Sequence, residues 1–394
     1  WEVVLLEASD GIGGRVRTDV VDGFQLDRGF QVLFTAYPAA KRQLDLKALR
    51  LRRFDAGVVV AESGRWNEFG DPLKDLKSLA PTALSSVASS GDKRLLLKLR
   101  RHVRAATTRQ LIDGAEQPTQ QFLQEYGFSE QVVDLLFRGL FGGIFMQREL
   151  SVSSSCFLFD LKMLIEGQAA LPSGGMQAIP NQLAAELPEV RLDTPALRLE
   201  LNAGRVTGVR TASEDLEADV VLLAAHAPEV ERLSGAPMPK QAHSVTCLYF
   251  HLPYPVYGHK KIVLNGYRGG FVNHAVQLTN IAASYAPQPE HLLSATILGA
   301  PDLSLEELTE RALADMQRWF PWRSIAGLQA LAAYQVPFGQ LAQPPGFRQQ
   351  LPKNRTATDG LYLAGEYTEA SSINGAMISG EKAAAAVLAD YQAR

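Results

Sequence analysis

Two widely separated stretches carry residue types and spacings that could do chemistry. Near the start, the apolar run Trp1–Leu6 ends in Glu7, and Gly13-Gly14-Arg15 follows within the turn Ala8–Thr18. An acid at the tip of a buried parallel strand can hydrogen-bond a ribose hydroxyl. The two glycines let backbone approach a pyrophosphate, and the guanidinium of Arg15 supplies charge-assisted hydrogen bonds to it. Near the end, Asp359–Glu366 reads as a strand with a polar tip at Gly365 and Glu366. Ser372–Gly380 then opens an alanine-rich helix that runs through Leu388. The unpaired N–H groups of a helix start, bare beside the small residues Gly375 and Ala376, would stabilise negative charge on a flat ring. Taken singly, each stretch also reads as an ordinary strand and turn, or as a well-capped helix packed on a sheet.

These residues need a dinucleotide-binding scaffold. Such a βαβ unit opens with a strand, a G-x-G-x-x-G turn and a helix, roughly 25–30 residues. No such stretch precedes Glu7, and Trp1 is not an initiator Met. The expectation is a chain lacking its N-terminal βα segment, and weak dinucleotide binding without it. Beyond Thr18 a hairpin turns at Asp22-Gly23, and Asp27-Arg28-Gly29-Phe30-Gln31 brings backbone close to a neighbour at Gly29. Thr35 caps a helix through Leu46, and strands Gly57–Ala61 and Arg65–Phe69 join at Glu62-Ser63-Gly64.

From Pro72 to Gly167 the pattern is helical, with a basic amphipathic stretch at Asp92–Arg109 that suits either a membrane interface or a solvated helix packed by its leucines. Pro172-Ser173-Gly174-Gly175-Met176 leads into another helix. Strands are expected at Val190–Leu192, Ala196–Leu201, Val206–Thr211, Asp219–Ala225, His243–Leu252, Lys261–Leu264 and Leu292–Leu298. Ser304 and Glu307 form a capping box for a helix through Trp319. Val336–Pro352, rich in proline, reads as a connection.

A chain of 394 residues favours two domains, and 46% hydrophobic with 21% charged residues describes a globular protein. The net charge of −3 gives no general reason to expect nucleic acid or an anionic membrane surface as a partner. Two cysteines, Cys156 and Cys247, without C-x-x-C or clustered histidines, point to a reducing compartment and no structural metal. No apolar stretch nears the ~20 residues of a membrane span.

Three blocks together, E-A-x-D-x-x-G-G-R-x-x-T, P-x-G-G-M and L-x-L-A-G-E…S-I-N-G-A-M-x-S-G, resemble the flavin amine oxidase superfamily, which includes carotenoid desaturases and protoporphyrinogen oxidases. Arg138–Gly143 with Glu149-Leu150-Ser151, and Val336-Pro337…Pro345-Gly346, resemble further family segments. The resemblance implies an α/β fold: a Rossmann-like FAD-binding domain over 1–54, 168–240 and 352–394, with an α+β substrate domain over 55–167 and 241–351. It assigns Glu7 to the adenosine ribose, Gly13, Gly14 and Arg15 to the pyrophosphate, and Ala196 backbone to the adenine. Gly29 would lie beside the flavin ring, Gly365 and Glu366 by the diphosphate and ribityl chain, and Gly375, Ala376 and Met377 at the pyrimidine edge.

The implied reaction is hydride removal from carbon onto flavin. Amine oxidases of the group carry an aromatic residue where Ser371 and Ser372 stand, and a lysine above the flavin, where Thr246 is the match. That departure favours a desaturase- or protoporphyrinogen oxidase-like dehydrogenation of an apolar or amphipathic small molecule. Its pocket would be lined by Leu135–Phe137 and Phe157–Phe159. The rivals are amine oxidation and a flavin-less lipid- or prenyl-binding protein. No general base is identifiable, His226, His243 and His274 reading as structural or solvated. The expected location is cytoplasmic with peripheral membrane contact.

Overall fold

The computed structural model describes residues 2–62, 64–325 and 328–392. Trp1, in the expected first strand, and Ser63, in the expected turn, lie outside the described residues. A seven-stranded sheet dominates, in the order Ala330–Leu341, Ala242–Leu252, His291–Leu298, His274–Gln277, Ile262–Asn265, Gly57–Glu62 and Arg65–Gly70. All neighbours are antiparallel except Ile262–Asn265 with Gly57–Glu62, which are parallel.

Alternation divides the sheet into two faces. Leu248, Phe250, Ala295 and Ile297 join a core with Leu308, Met316 and Trp319 of the capped helix Leu305–Gln317 and its end. On the other face, cross-strand partners line up Val60, Leu264, His274, Thr296, Cys247 and Tyr334 in one row. Helices between residues 90 and 166 cover the Val60–Leu264 end of this row. The turn at Gly29–Phe30 lies over its other half, where the Phe30 and His274 rings meet edge to face at 5.1 Å.

Two parallel pairs stand apart from this sheet: Val4–Leu6 with Glu189–Arg191, and Val221–Leu223 with Leu361–Leu363. An antiparallel trio, Arg198–Asn202, Arg205–Arg210 and Asp215–Glu217, packs nearby on Ala227–Ser234. The closing helix spans Ile373–Gln392.

Several expectations change. Val336 to Leu341 is not a connection but the end of the twelve-residue strand Ala330–Leu341. Pro337 is tolerated because this strand is the sheet's edge, where a missing N–H breaks no ladder. The helix after Thr35 shrinks to Pro38–Gln43, with Pro38 at its first turn. The basic stretch divides into Ser90–Ala105, capped by Ser89 with Asp92, and Thr108–Ile112, capped by Thr107 with Gln110. Leu99 and Val103 are buried and Leu95 and Leu96 half-buried against the helical core, so Arg94, Lys98, Arg101 and Arg104 face outward.

Candidate active site

The two parallel pairs place their carboxyl ends toward the chemistry-bearing turns, as ligand sites on parallel strands require. Glu7 follows Val4–Leu6 directly. Its Oε1 accepts from Ser9 N at 2.9 Å and Ser9 Oγ at 2.8 Å, leaving Oε2 without a partner among the described residues. Its carbonyl accepts from Thr194 N at 2.9 Å, which brings the Thr194-Pro195-Ala196 turn alongside. The Ala196 carbonyl is taken by Arg232 Nη2 at 2.7 Å.

The Gly13-Gly14-Arg15 turn is shaped by positive φ at both glycines, 108° and 53°. A Cβ on Gly13 would stand 2.7 Å from Pro180 Cγ, whereas one on Gly14 would meet nothing within 4 Å. Gly14 therefore offers bare backbone to open space. Arg15 donates through Nη1 to Gly339 O at 2.7 Å and pairs through Nη2 with Glu366. Glu366 also accepts from Ser371 Oγ, and Ser371 N donates to Gln343 Oε1 at 2.9 Å. The first turn, the edge strand and the closing block thus meet at one carboxylate.

The P-S-G-G-M turn docks against the same region. Gly175, at φ 79°, leaves no room for a side chain, because its Cβ would lie 2.5 Å from Thr18 Oγ1. Gln177 N donates to Thr18 Oγ1 at 3.0 Å, and Gln177 Nε2 to Ile12 O at 2.8 Å. Met176 N donates to Asp27 Oδ1 at 2.9 Å.

Asp27 was not singled out from sequence, yet it is the buried hub. Its Oδ1 also accepts from Thr18 Oγ1 at 2.5 Å and its Oδ2 from the Tyr285 hydroxyl at 3.0 Å. Its carbonyl accepts from Gly29 N at 2.7 Å and from the Tyr249 hydroxyl at 2.7 Å. Burial pushes this carboxyl up to about 6 despite those donors. Thr18 and Asp27 are direct cross-strand partners in the hairpin expected around Asp22-Gly23, and that pairing was the available signal. Gly29, at φ 100°, meets only Val336 Cγ2, at 3.9 Å, where a Cβ would stand, so its face toward the sheet is open.

The start of the closing helix differs from expectation. Gly375 N donates to Ser372 Oγ and Ala376 N to Ser372 O, both at 2.9 Å, so these donors are capped rather than free. Gly375 is required by close approach: a Cβ there would stand 1.9 Å from Ala370 O. Met377 is half-buried against the core below the sheet. Gly365 N donates to Ser379 Oγ at 2.8 Å, fixing the strand tip to this helix.

Facing the Gly29–Phe30 turn is the row Tyr334, Cys247, Thr296 and His274. Thr246 points to the opposite face and donates to Gly299 O at 2.9 Å, so the side chain this strand offers to the turn is Cys247. His274 Nδ1 faces Asn273 Nδ2 at 3.0 Å, and that amide also donates to Gly139 O at 3.0 Å. Nδ1 is then the acceptor, and Nε2 carries the proton of the neutral ring. Burial lowers His274 to about 4 and raises the Cys247 thiol to about 12. His274 Nε2 and Thr296 Oγ1 are buried without a partner among the described residues. A cavity of about 330 Å³ adjoins the row through Asn273, mixing Met146, Phe271 and Leu298 with Arg148, Glu149 and His243.

Phe137, Phe141 and Phe157 do not line a pocket. Their rings pack as the helical core, with Phe141 and Phe157 centroids 4.6 Å apart and Phe157 fully buried. Of that expected lining Phe159 stays half-buried, stacked on Tyr37. Among the described residues no helix is long and apolar enough to cross a membrane.

The sequence profile described as flavin containing amine oxidoreductase matches residues 1–388. No curated protein matches the chain. Among solved structures, an oxidoreductase from Methanosarcina mazei is 17% identical with a TM-score of 0.73, over 96% of this chain and 93% of that one. A putative protoporphyrinogen oxidase from Exiguobacterium sp. 255-15 is 19% identical with a TM-score of 0.71, over 96% and 91%. Putrescine oxidase bound to putrescine is 19% identical with a TM-score of 0.68, over 98% and 93%. With almost its whole length matched by that profile, the chain belongs to the flavin-containing amine oxidoreductase family and is an FAD-dependent oxidoreductase of mixed α/β fold.

Proposed function

We propose that the protein dehydrogenates an apolar or amphipathic small molecule seated between the Gly29–Phe30 turn and the row Tyr334, Cys247, Thr296 and His274. The observation that carries this reading is that the row holds no ion at neutral pH. His274 is neutral, Cys247 is a thiol, and burial with the neighbouring Asp19 raises the Tyr334 phenol. An ammonium group would find no lysine-tuned base in the row, and of the nearby carboxylates Asp19 is already taken by Arg28 and the Tyr334 hydroxyl while Glu149 lies in the adjoining cavity. The adjoining cavity, part apolar and part charged, suits an amphipathic molecule better than a small polyamine.

The residues fit the cofactor. Open backbone at Gly14 and Gly29, the free Oε2 of Glu7 and the guanidinium of Arg15 are the donor and acceptor set that a flavin dinucleotide needs. In this reading Glu7 holds the ribose and Ala196 backbone meets the adenine. Gly13, Gly14 and Arg15 line the pyrophosphate, and Gly365 and Glu366 face the diphosphate and ribityl chain. Gly375, Ala376 and Met377 border the pyrimidine edge, the capped start of their helix leaving its dipole to act there. Bound FAD supplies the hydride acceptor. Asp27 fixes the Gly29 turn, Phe30 and the row shield the reacting carbon from water, and the proton lost with each hydride leaves to solvent through the adjoining cavity, since the row carries no base to take it.

The two parallel pairs belong, in this reading, to one Rossmann-like sheet within a flavin domain of residues 1–54, 168–240 and 352–394. Residues 55–167 and 241–351 form the substrate domain. The location is cytoplasmic, with peripheral contact to the membrane that supplies the substrate. The test is titration of the oxidised FAD-loaded protein with β-carotene in detergent and, separately, with putrescine. The reading expects a saturable shift of the flavin absorbance with the polyene alone; a shift with putrescine alone rejects it.

A further inference from the structure

The strongest feature outside the active site is a run of exposed leucines clamped to a helix whose outward cations have no acidic partner among the described residues. Leu73, Leu76, Leu79 and Leu84 are 66%, 81%, 57% and 87% exposed, although they lie within twelve residues of one another. Exposed leucines scattered singly need no explanation, but four on one short segment do. The segment is built firmly rather than left loose. Asp75 caps the turn Leu76–Ser78, and Thr82 Oγ1 accepts from Gly70 N at 2.9 Å, which seats Leu79–Leu84 on the sheet edge.

Both ends of this segment are clamped to the basic helix Ser90–Ala105. Asp71 pairs with Arg100, while Lys93 Nζ donates to Ala83 O at 2.8 Å and Ser85 O at 3.0 Å. The helix buries Leu99 and Val103, so its outward stripe is Arg94, Leu97, Lys98, Arg101 and Arg104. Lys77, Arg94, Arg101 and Arg104 have no acidic partner among the described residues, and Asp92 is the sole acid between positions 90 and 112. A chain of net charge −3 thus carries unpaired cations on the helix that clamps Leu73, Leu76 and Leu84, its three most exposed leucines among the described residues.

We propose that this face, Leu73 to Leu84 with the outward stripe of Ser90–Ala105, docks on an anionic lipid bilayer. Leu73, Leu76, Leu79 and Leu84 each keep more than half of their surface in solvent on a turn and a short helix. A bilayer accepts such side chains whatever their outline, whereas a protein partner would need a matching hollow for each. The cations then sit at headgroup depth, where each adds attraction that salt screens. The proposal gives a place to the membrane contact in the functional reading above, and rests on that reading only for its purpose.

The test is co-sedimentation of the full-length FAD-loaded protein with vesicles of phosphatidylcholine alone, or with added phosphatidylglycerol, and it involves no turnover. Binding is expected to the anionic vesicles and to weaken as salt rises from about 0.1 M to about 1 M. Leu76→Ser with Leu84→Ser should weaken it by about tenfold or more, since each buried leucine contributes strongly to transfer. Arg101→Gln with Arg104→Gln should remove the preference for phosphatidylglycerol. All four positions are exposed, so flavin content and thermal stability should stay at the parent level. Equal sedimentation with both vesicles, or binding untouched by the leucine changes, overturns the proposal. So does a dimer in solution that the leucine changes dissolve, which would make a second copy the occupant. Failure here leaves the apolar-substrate reading standing, because the detergent titration does not involve vesicles.

Discussion

Arg15 and Glu366, 351 positions apart in sequence, form an ion pair that Ser371 and the Gly339 carbonyl complete from either side. Glu366 is nearly buried, with 8% of its side chain exposed, and Arg15 is 37% exposed. This pair joins the opening glycine turn to the strand tip that precedes the closing helix.

Removing the cation should leave a buried carboxylate with Ser371 as its remaining donor. Breaking a buried pair costs about 3–5 kcal/mol; with Arg15 more than a third exposed, Arg15→Met should cost roughly 1–2 kcal/mol. Glu366→Gln, which keeps an oxygen toward Arg15, should cost less. FAD affinity should fall in the same order. Chemical denaturation and flavin fluorescence titration measure both, and an unchanged dissociation constant for Arg15→Met would contradict the placement of Arg15 at the pyrophosphate.

Asp27 gives a pH signature. Its carboxyl is raised in the folded chain from 3.8 to about 6, so the folded state holds the proton more tightly than the unfolded state. The stabilisation from this group is complete below about pH 4 and disappears as pH rises through about 6, on the order of 3 kcal/mol in all. Asp27→Asn keeps an oxygen for Thr18 and Met176 but does not titrate. The stability difference, parent minus variant, should therefore fall between pH 4 and 6.5 and stay level above. A difference that is flat throughout would show that Asp27 titrates normally.

Gly375 separates two roles. Its Cβ would lie 1.9 Å from Ala370 O, so even Gly375→Ala should lower thermal stability without added flavin. Gly14→Ala meets no atom and carries only the strain of φ 53°, a cost of about 1 kcal/mol. It should instead reduce FAD affinity by crowding the ligand. The prediction fails if scanning calorimetry of the flavin-free proteins shows the larger loss at Gly14.

Much of this architecture was legible. The D-G hairpin, the Ser304–Glu307 capping box and the strand Ala242–Leu252 follow from turn chemistry, capping and alternation. Local signals failed where tertiary position overrides them. Pro337 breaks a strand in general but not at a sheet edge. Phe137 and Phe157 look the same in sequence whether they line a pocket or fill a core, and only their mutual packing decides. Thr246 and Cys247 differ by one residue, and a one-residue step moves a side chain to the other face of the sheet. Asp27 was hidden because its donors come from Thr18, Met176 and Tyr285, spread over most of the chain.

The same row sets the substrate test for single residues. Cys247→Lys would introduce a cation beside Phe30 at the face that holds none. Burial makes this costly, by several kcal/mol if the ion stays unpaired, so the variant should lose stability or titrate near neutrality. Cys247→Ser, close in size, should retain flavin and polyene binding within about threefold. Loss of polyene binding in Cys247→Ser would give the thiol a specific role that this geometry does not assign.

Anaerobic stopped-flow reduction of the bound flavin tests the central claim most directly. FAD-loaded protein is mixed, without oxygen, with polyenes and reduced tetrapyrroles in one series and with primary amines and polyamines in another. The account expects the flavin absorbance to bleach with a member of the first series and to persist with every member of the second. Rapid bleaching by an amine such as putrescine, with none by the apolar series, would contradict it.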